Sequence, residues 1–218
     1  TESLFEPFRY KNLELKNRFV MAPMTRAKSD NGVPTQEIAD YYARRAAADV
    51  GLIISEGTVI DRPASKNNQN IPDFYGTKAL NGWKNVIDAV HGNGGKMGPQ
   101  IWHVGDTRSS DDYPKVEMEK ASTMTLEDIQ DTVAKFAASA KSAKDLGFDV
   151  LEIHGAHGYL IDQFFWEVTN TRTDEYGGKT LKERSRFAIE VVKAIRAAVG
   201  EDFTIILRLS QWKLQDYK

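Results

Sequence analysis

The chain has no cysteine, which excludes disulfides, thiolate nucleophiles and cysteine-ligated metal sites. It has no excess of either charge: 29 basic and 31 acidic side chains give a net charge of −2. The missing basic surplus argues against nucleic acid as a partner, and the missing basic amphipathic segment argues against a membrane surface. No apolar run approaches the roughly 18 residues of a membrane-crossing helix. Thr1 to Pro7 lack the charged and apolar regions of a signal peptide. No GxGxxG follows a first strand and no P-loop occurs, which counts against dinucleotide and P-loop folds. Low-complexity segments and short-period repeats are also missing. These absences leave a cytoplasmic protein as the expectation.

What is present is an ordinary globular balance. Apolar residues make up 41% and charged residues 28% of 218 positions, enough for one domain over residues 1–218. Phe8 to Asn17 alternates loosely around Lys11-Asn12, as a small hairpin does. Apolar runs then predict five strands, over 18–24, 50–55, 96–104, 148–154 and 203–209. The third is weakened by Gly98-Pro99, because proline donates no ladder hydrogen bond. Four helices alternate with them. Thr35 is read as the cap of the first, which runs through Ala48. Leu80, Trp83, Ile87 and Val90 mark the face of the second, which stops at Gly92. Thr125 with Asp128, and Thr180 with Glu183, form capping boxes that open the third and fourth. These end at Gly147 and Gly200, and the stretches 56–77, 106–120 and 155–178 read as loops. Strand and helix in alternation imply right-handed βαβ units and a parallel sheet. A barrel and an open doubly wound sheet both satisfy this order.

Residues able to do chemistry gather where these strands end. They are Pro23, Met24 and Thr25 after the first, Gly57 after the second, and Gln100 with Trp102 in the third. His154, His157 and Tyr159 follow the fourth, and Arg208 closes the fifth. Carboxyl ends of parallel strands are where barrel enzymes build their sites.

The stretches Asn17–Arg26, Ser55–Gly57, Gln100–Gly105, Glu152–Phe164, Asn170–Gly178 and Leu207–Ser210 together resemble the Old Yellow Enzyme family of flavin-dependent ene-reductases. They occur in family order along nearly the whole chain. The resemblance implies a (β/α)8 barrel of the TIM type holding FMN, with NADPH or NADH as reductant and a small-molecule enone as substrate. It implies that Thr25, Gln100 and Arg208 meet the flavin ring, and that Pro23, Met24 and Gly57 give it backbone contacts and close approach. It implies that His154 and His157 bind the substrate oxygen, that Tyr159 protonates the α-carbon, and that Trp102 shapes the substrate pocket. A barrel needs eight strands and the sequence supplies five. A further C-terminal segment or a second chain is therefore expected to complete it and to hold the FMN phosphate. The alternatives are a half-barrel that is not catalytic by itself and a related flavin dehydrogenase.

Plainer roles compete for the same residues. A histidine pair can ligate metal, but a third ligand is needed. Glu152 is read as turned off the face of His154, so no metal is expected. Isolated histidines, tyrosines and tryptophans at strand ends are often structural, and a strand-end arginine is often an ion pair. Arg172 and Asp174 are read as a loop-locking ion pair, His91 as a helix-end cap, and His103 as a support behind the site.

Overall fold

The computed structural model describes residues 2–108 and 113–213. The loop expected over 106–120 therefore falls partly outside the described residues, at 109–112. After a short 3-10 turn, β1 (Phe8–Tyr10) and β2 (Leu13–Leu15) form an antiparallel hairpin. Five parallel strands follow in spatial order β3-β4-β5-β6-β7: Val20–Met21, Leu52–Val59, Met97–Trp102, Val150–His154 and Thr204–Arg208. Sequential order in space is what successive right-handed βαβ units produce.

The helices are α1 (Gln36–Ala47), α2 (Thr77–Gly92), α3 (Leu126–Leu146), α4 (Leu160–Phe165), α5 (Leu181–Arg184) and α6 (Arg186–Val199). The long ones cover one face of the sheet. Their apolar stripes, which include Tyr42, Trp83, Phe136 and Phe187, meet Ile53, Met97, Ile101, Leu151 and Ile153 of the strands. The other face is concave. At its lower end Leu52, Ile54 and Val150 pack on Leu13 and Leu15 of the hairpin. Above that layer the inward residues turn polar: Gln100 and Glu152 are in register between Gly57 and Ile206, and His154 and Arg208 follow. Among the described residues no helix is long and apolar enough to cross a membrane.

Both capping boxes form, and Gly147 ends α3 in the left-handed conformation at φ 91°. The second box opens α5, and the single helix expected from Thr180 to Gly200 is interrupted at Ser185 before α6. Three local expectations are corrected. Thr35 makes no side-chain cap; its hydroxyl is buried without a partner. His91 pairs with Asp149 at 2.9 Å and so ties the end of α2 to the turn before β6. Helix α4 lies inside the stretch read as loop, and its six residues are too few to display a helical period.

The fourth correction matters most. Strand β4 continues through Glu56 to Val59, where a loop was expected. The register jumps from Ile54↔Gly98 to Gly57↔Gln100, so two residues of β4, Ser55 and Glu56, face the single Pro99. Proline cannot donate to the ladder, and a bulge is where a sheet tolerates it. Side chains satisfy the displaced backbone. The Gln100 N–H donates to Ser55 Oγ at 3.1 Å, and the Glu56 N–H donates to the Tyr42 hydroxyl at 2.8 Å. The extra residue also turns Gly57 inward.

Packing at the next glycine generates a test. A Cβ at Gly98 would stand 2.4 Å from Val150 Cγ2 and 2.6 Å from the Val150 carbonyl oxygen. Backbone cannot yield as a flexible side chain can. Gly98→Ala is expected to cost roughly 1–3 kcal/mol, read as a lowered urea midpoint at unchanged slope. An unchanged midpoint contradicts this packing.

Candidate active site at the strand ends

Gly57 has no room for a side chain, because a Cβ there would lie 2.5 Å from Cε3 of Trp102. The indole fills that space and lies near-parallel to His154, with centroids 5.8 Å apart and planes at 17°. Tyr159 meets both rings edge-on, at 4.8 Å from Trp102 and 4.9 Å from His154. His157 stands perpendicular to His154 at 5.6 Å. The structure thus gathers Trp102, His154, His157 and Tyr159 into one cluster above the concave face. Pro23, Met24 and Thr25 follow β3 at the same end of the sheet, with Met24 and Thr25 exposed.

The backbone here is specialised. His157 sits at φ 62°, a left-handed conformation unusual for a non-glycine residue, and Gly158 follows at φ 82°. The Gly158 N–H donates to Asp162 at 2.8 Å. Tyr159 occupies the N-cap position of α4. Gln163, fully buried, donates to the Gly158 carbonyl at 2.7 Å and accepts the Asp106 N–H at 3.2 Å, joining this turn to the one after β5.

Electrostatics keep both site histidines neutral. Burial, aided by His157 and Arg208, pushes His154 down to about 3. Burial and then Arg208 lower His157 as well. The Nδ1 atoms of both rings and Nε1 of Trp102 are buried with no hydrogen-bond partner among the described residues. Buried polar atoms normally find partners, so three orphans in one aromatic cluster single it out as the candidate site.

Glu152 corrects a further expectation. Residues two apart share a strand face, so Glu152 points inward with His154 rather than away from it. One N–H of the Gln100 amide donates to it at 2.7 Å, leaving the second N–H and the carbonyl oxygen of Gln100. Burial raises Glu152, against the pull of Gln100 and Arg208. Arg208 is in register with His154 on the neighbouring strand.

Support groups behind the site are extensive. His103 accepts the Gly105 N–H on Nδ1 at 3.0 Å, so its Nε2 carries the proton and donates to Glu119 at 2.6 Å. Glu119 in turn pairs with Arg62, which also holds Asp128 and Asp131. Arg172 and Asp174 form the expected ion pair, and Arg172 also donates to the Ala121 and Met124 carbonyls. Reasoning from sequence missed Asp162, Gln163, Ser210, Trp212 and Lys213. They meet His157 or its neighbours only through the fold and carry no local pattern.

Known proteins share this fold. The profile described as the NADH:flavin oxidoreductase / NADH oxidase family matches residues 3–217. The chain belongs to that family. Its relatives include 12-oxophytodienoate reductase 7 of Oryza sativa subsp. japonica, 39% identical over 95% of this chain and 58% of that protein. Chanoclavine-I aldehyde reductase fgaOx3 of Penicillium roqueforti is 40% identical over 96% of this chain and 60% of that protein. Among solved structures, morphinone reductase in complex with tetrahydroNAD aligns with TM-score 0.87 at 32% identity, over 94% of this chain and 63% of that one. Old Yellow Enzyme from Pichia sp. AKU4542 aligns with TM-score 0.88 at 32% identity, over 95% and 59%. The chain therefore spans under two thirds of the length of these relatives. Its curled sheet is five strands of the family's (β/α)8 TIM-type barrel. Membership in the NADH:flavin oxidoreductase family implies FMN and a nicotinamide reductant.

The burial of His154 sets a pH dependence. In the folded chain the ring stays neutral to about 3, whereas unfolded it takes a proton below about 6.5. The penalty is absent above 6.5 and grows as pH falls toward 3, reaching about 2 kcal/mol at pH 5. His154→Asn is expected to lose about that much less stability than the parent between pH 7.5 and 5 in urea titrations. Equal losses contradict a buried neutral His154.

Proposed function

We propose that this chain carries the catalytic part of an FMN-dependent reductase that uses NADPH or NADH to saturate the C=C bond of α,β-unsaturated carbonyl compounds. The observation that carries the reading is the pair of buried, unpartnered histidine nitrogens beside Tyr159. Two neutral imidazoles each offer an N–H, and a carbonyl oxygen accepts two hydrogen bonds. Such a clamp polarises the conjugated alkene and holds the negative charge that builds on oxygen as the β-carbon is reduced. Arg208, close enough to depress both histidines, adds a fixed positive charge beside it. Tyr159, packed on His154 and Trp102, would give its hydroxyl proton to the α-carbon as general acid. Trp102 would wall the substrate pocket.

The residues fit a flavin ring. The free N–H and carbonyl of Gln100 complement a pyrimidine edge, and the Arg208 guanidinium suits an electron-rich ring oxygen. Thr25, Pro23, Met24 and Gly57 would complete the contacts. FMN, when bound, supplies the hydride that reaches the β-carbon and takes it in turn from NADPH or NADH. Further strands from a C-terminal segment or a second chain would cover exposed Val20 of β3 and Leu207 of β7.

Tyr159→Phe tests the reading in the FMN-loaded full-length protein. Alkene reduction is expected to fall roughly 10²–10⁴-fold while flavin content and its reduction by NAD(P)H persist. Undiminished alkene reduction would remove Tyr159 as the proton donor.

A further inference from the structure

The turn that follows β7 closes over His157 from three directions. Ser210 Oγ accepts the His157 backbone N–H at 2.8 Å and donates to the Trp212 carbonyl, also at 2.8 Å. The Trp212 ring lies on the His157 imidazole, centroids 4.1 Å apart and planes at 19°. Lys213 reaches both oxygens of Asp162, at 2.7 and 2.9 Å. Asp162 is 2% exposed, and its Oδ2 also holds the Gly158 N–H. A backbone bridge joins His157 directly to Lys213.

These contacts converge on the residue with the least comfortable backbone in the site. A left-handed histidine persists only where its surroundings hold it. Its own N–H, its ring and the next peptide are each gripped by this turn or by Asp162. A carboxylate as buried as Asp162 needs a counter-ion, and Lys213 supplies it. A turn that merely carried the chain away from β7 would not require a ring stacked on the imidazole or an acceptor on the His157 N–H.

We propose that Ser210, Trp212 and Lys213, with Asp162, are positioning residues for the His157 half of the oxygen clamp. The Lys213–Asp162 pair fixes the Gly158 peptide. That peptide and Ser210 hold His157 left-handed, and Trp212 sets the tilt of its ring. The inference rests on the reading that His157 receives the substrate oxygen. It adds that the turn after β7 governs the affinity for that oxygen without touching it.

The test uses the FMN-loaded full-length protein and para-chlorophenol, whose oxygen accepts hydrogen bonds as the substrate carbonyl does. Binding is followed by the change in the visible flavin band, and the His157 ring by its imidazole NMR signals, assigned by loss in His157→Asn. Lys213→Met is expected to weaken the phenol roughly tenfold and to shift the His157 signals at unchanged flavin content. Lys213→Arg restores both. Parent-like binding and unmoved signals in Lys213→Met, or an arginine variant no better than methionine, overturn the proposal. Should Lys213→Met not fold, Ser210→Ala leaves the ion pair intact and is expected to weaken the phenol by several-fold; unchanged binding there overturns it too. The two readings separate cleanly. If His157→Leu binds phenol like the parent, the clamp itself is wrong and the lock falls with it. If His157→Leu weakens binding and Lys213→Met does not, only the lock is wrong.

Discussion

Pro99 has no N–H to give to its neighbour strand, and the site depends on how β4 answers that. The bulge at Ser55 and Glu56 takes up the missing bond. It also rotates Gly57 to the concave face, where its lack of a side chain admits the Trp102 indole. Trp102 then lies near-parallel to His154 and perpendicular to Tyr159. Without the extra residue the period of two would turn Gly57 outward and another residue inward. A single proline in a buried strand thus connects, through the bulge, Gly57 and Trp102, to the proposed proton donor.

Above that scaffold, burial and charge define what the site can do. Burial keeps His154 uncharged, so it can donate one hydrogen bond without presenting a full positive charge. The permanent cation is Arg208, one strand away in register. Glu152 lies two residues before His154 and is engaged by Gln100. A neutral donor pair, a fixed cation and a phenol make a coherent set for stabilising and then protonating an oxygen-bearing carbanion equivalent.

The parallel sheet, the hairpin and the four long helices were legible in the sequence, because apolar runs, helical spacing and capping boxes are local signals. The capping pairs at Thr125 and Thr180 formed as read; at Thr35 the hydroxyl turned inward instead. The extension of β4 was hidden because Glu56 interrupts its apolar run, and its N–H partner, Tyr42, lies on a helix. Helix α4 was too short to show a period. That Trp102, His154, His157 and Tyr159 gather at the strand ends was legible from position together with the family resemblance. Ser210, Trp212 and Lys213 were not, since only the β6–β7 register brings them, some fifty positions on, to His157 and Asp162.

In the proposed reaction His154 and His157 jointly receive a substrate oxygen while Tyr159 stands over the neighbouring carbon. The most direct measurement is a crystal structure of the FMN-loaded full-length protein with an unreactive enone analogue. The expected result is the carbonyl oxygen within hydrogen-bond distance of both imidazoles, with the Tyr159 hydroxyl facing the α-carbon. An oxygen held by neither histidine, or an α-carbon out of reach of Tyr159, would contradict it.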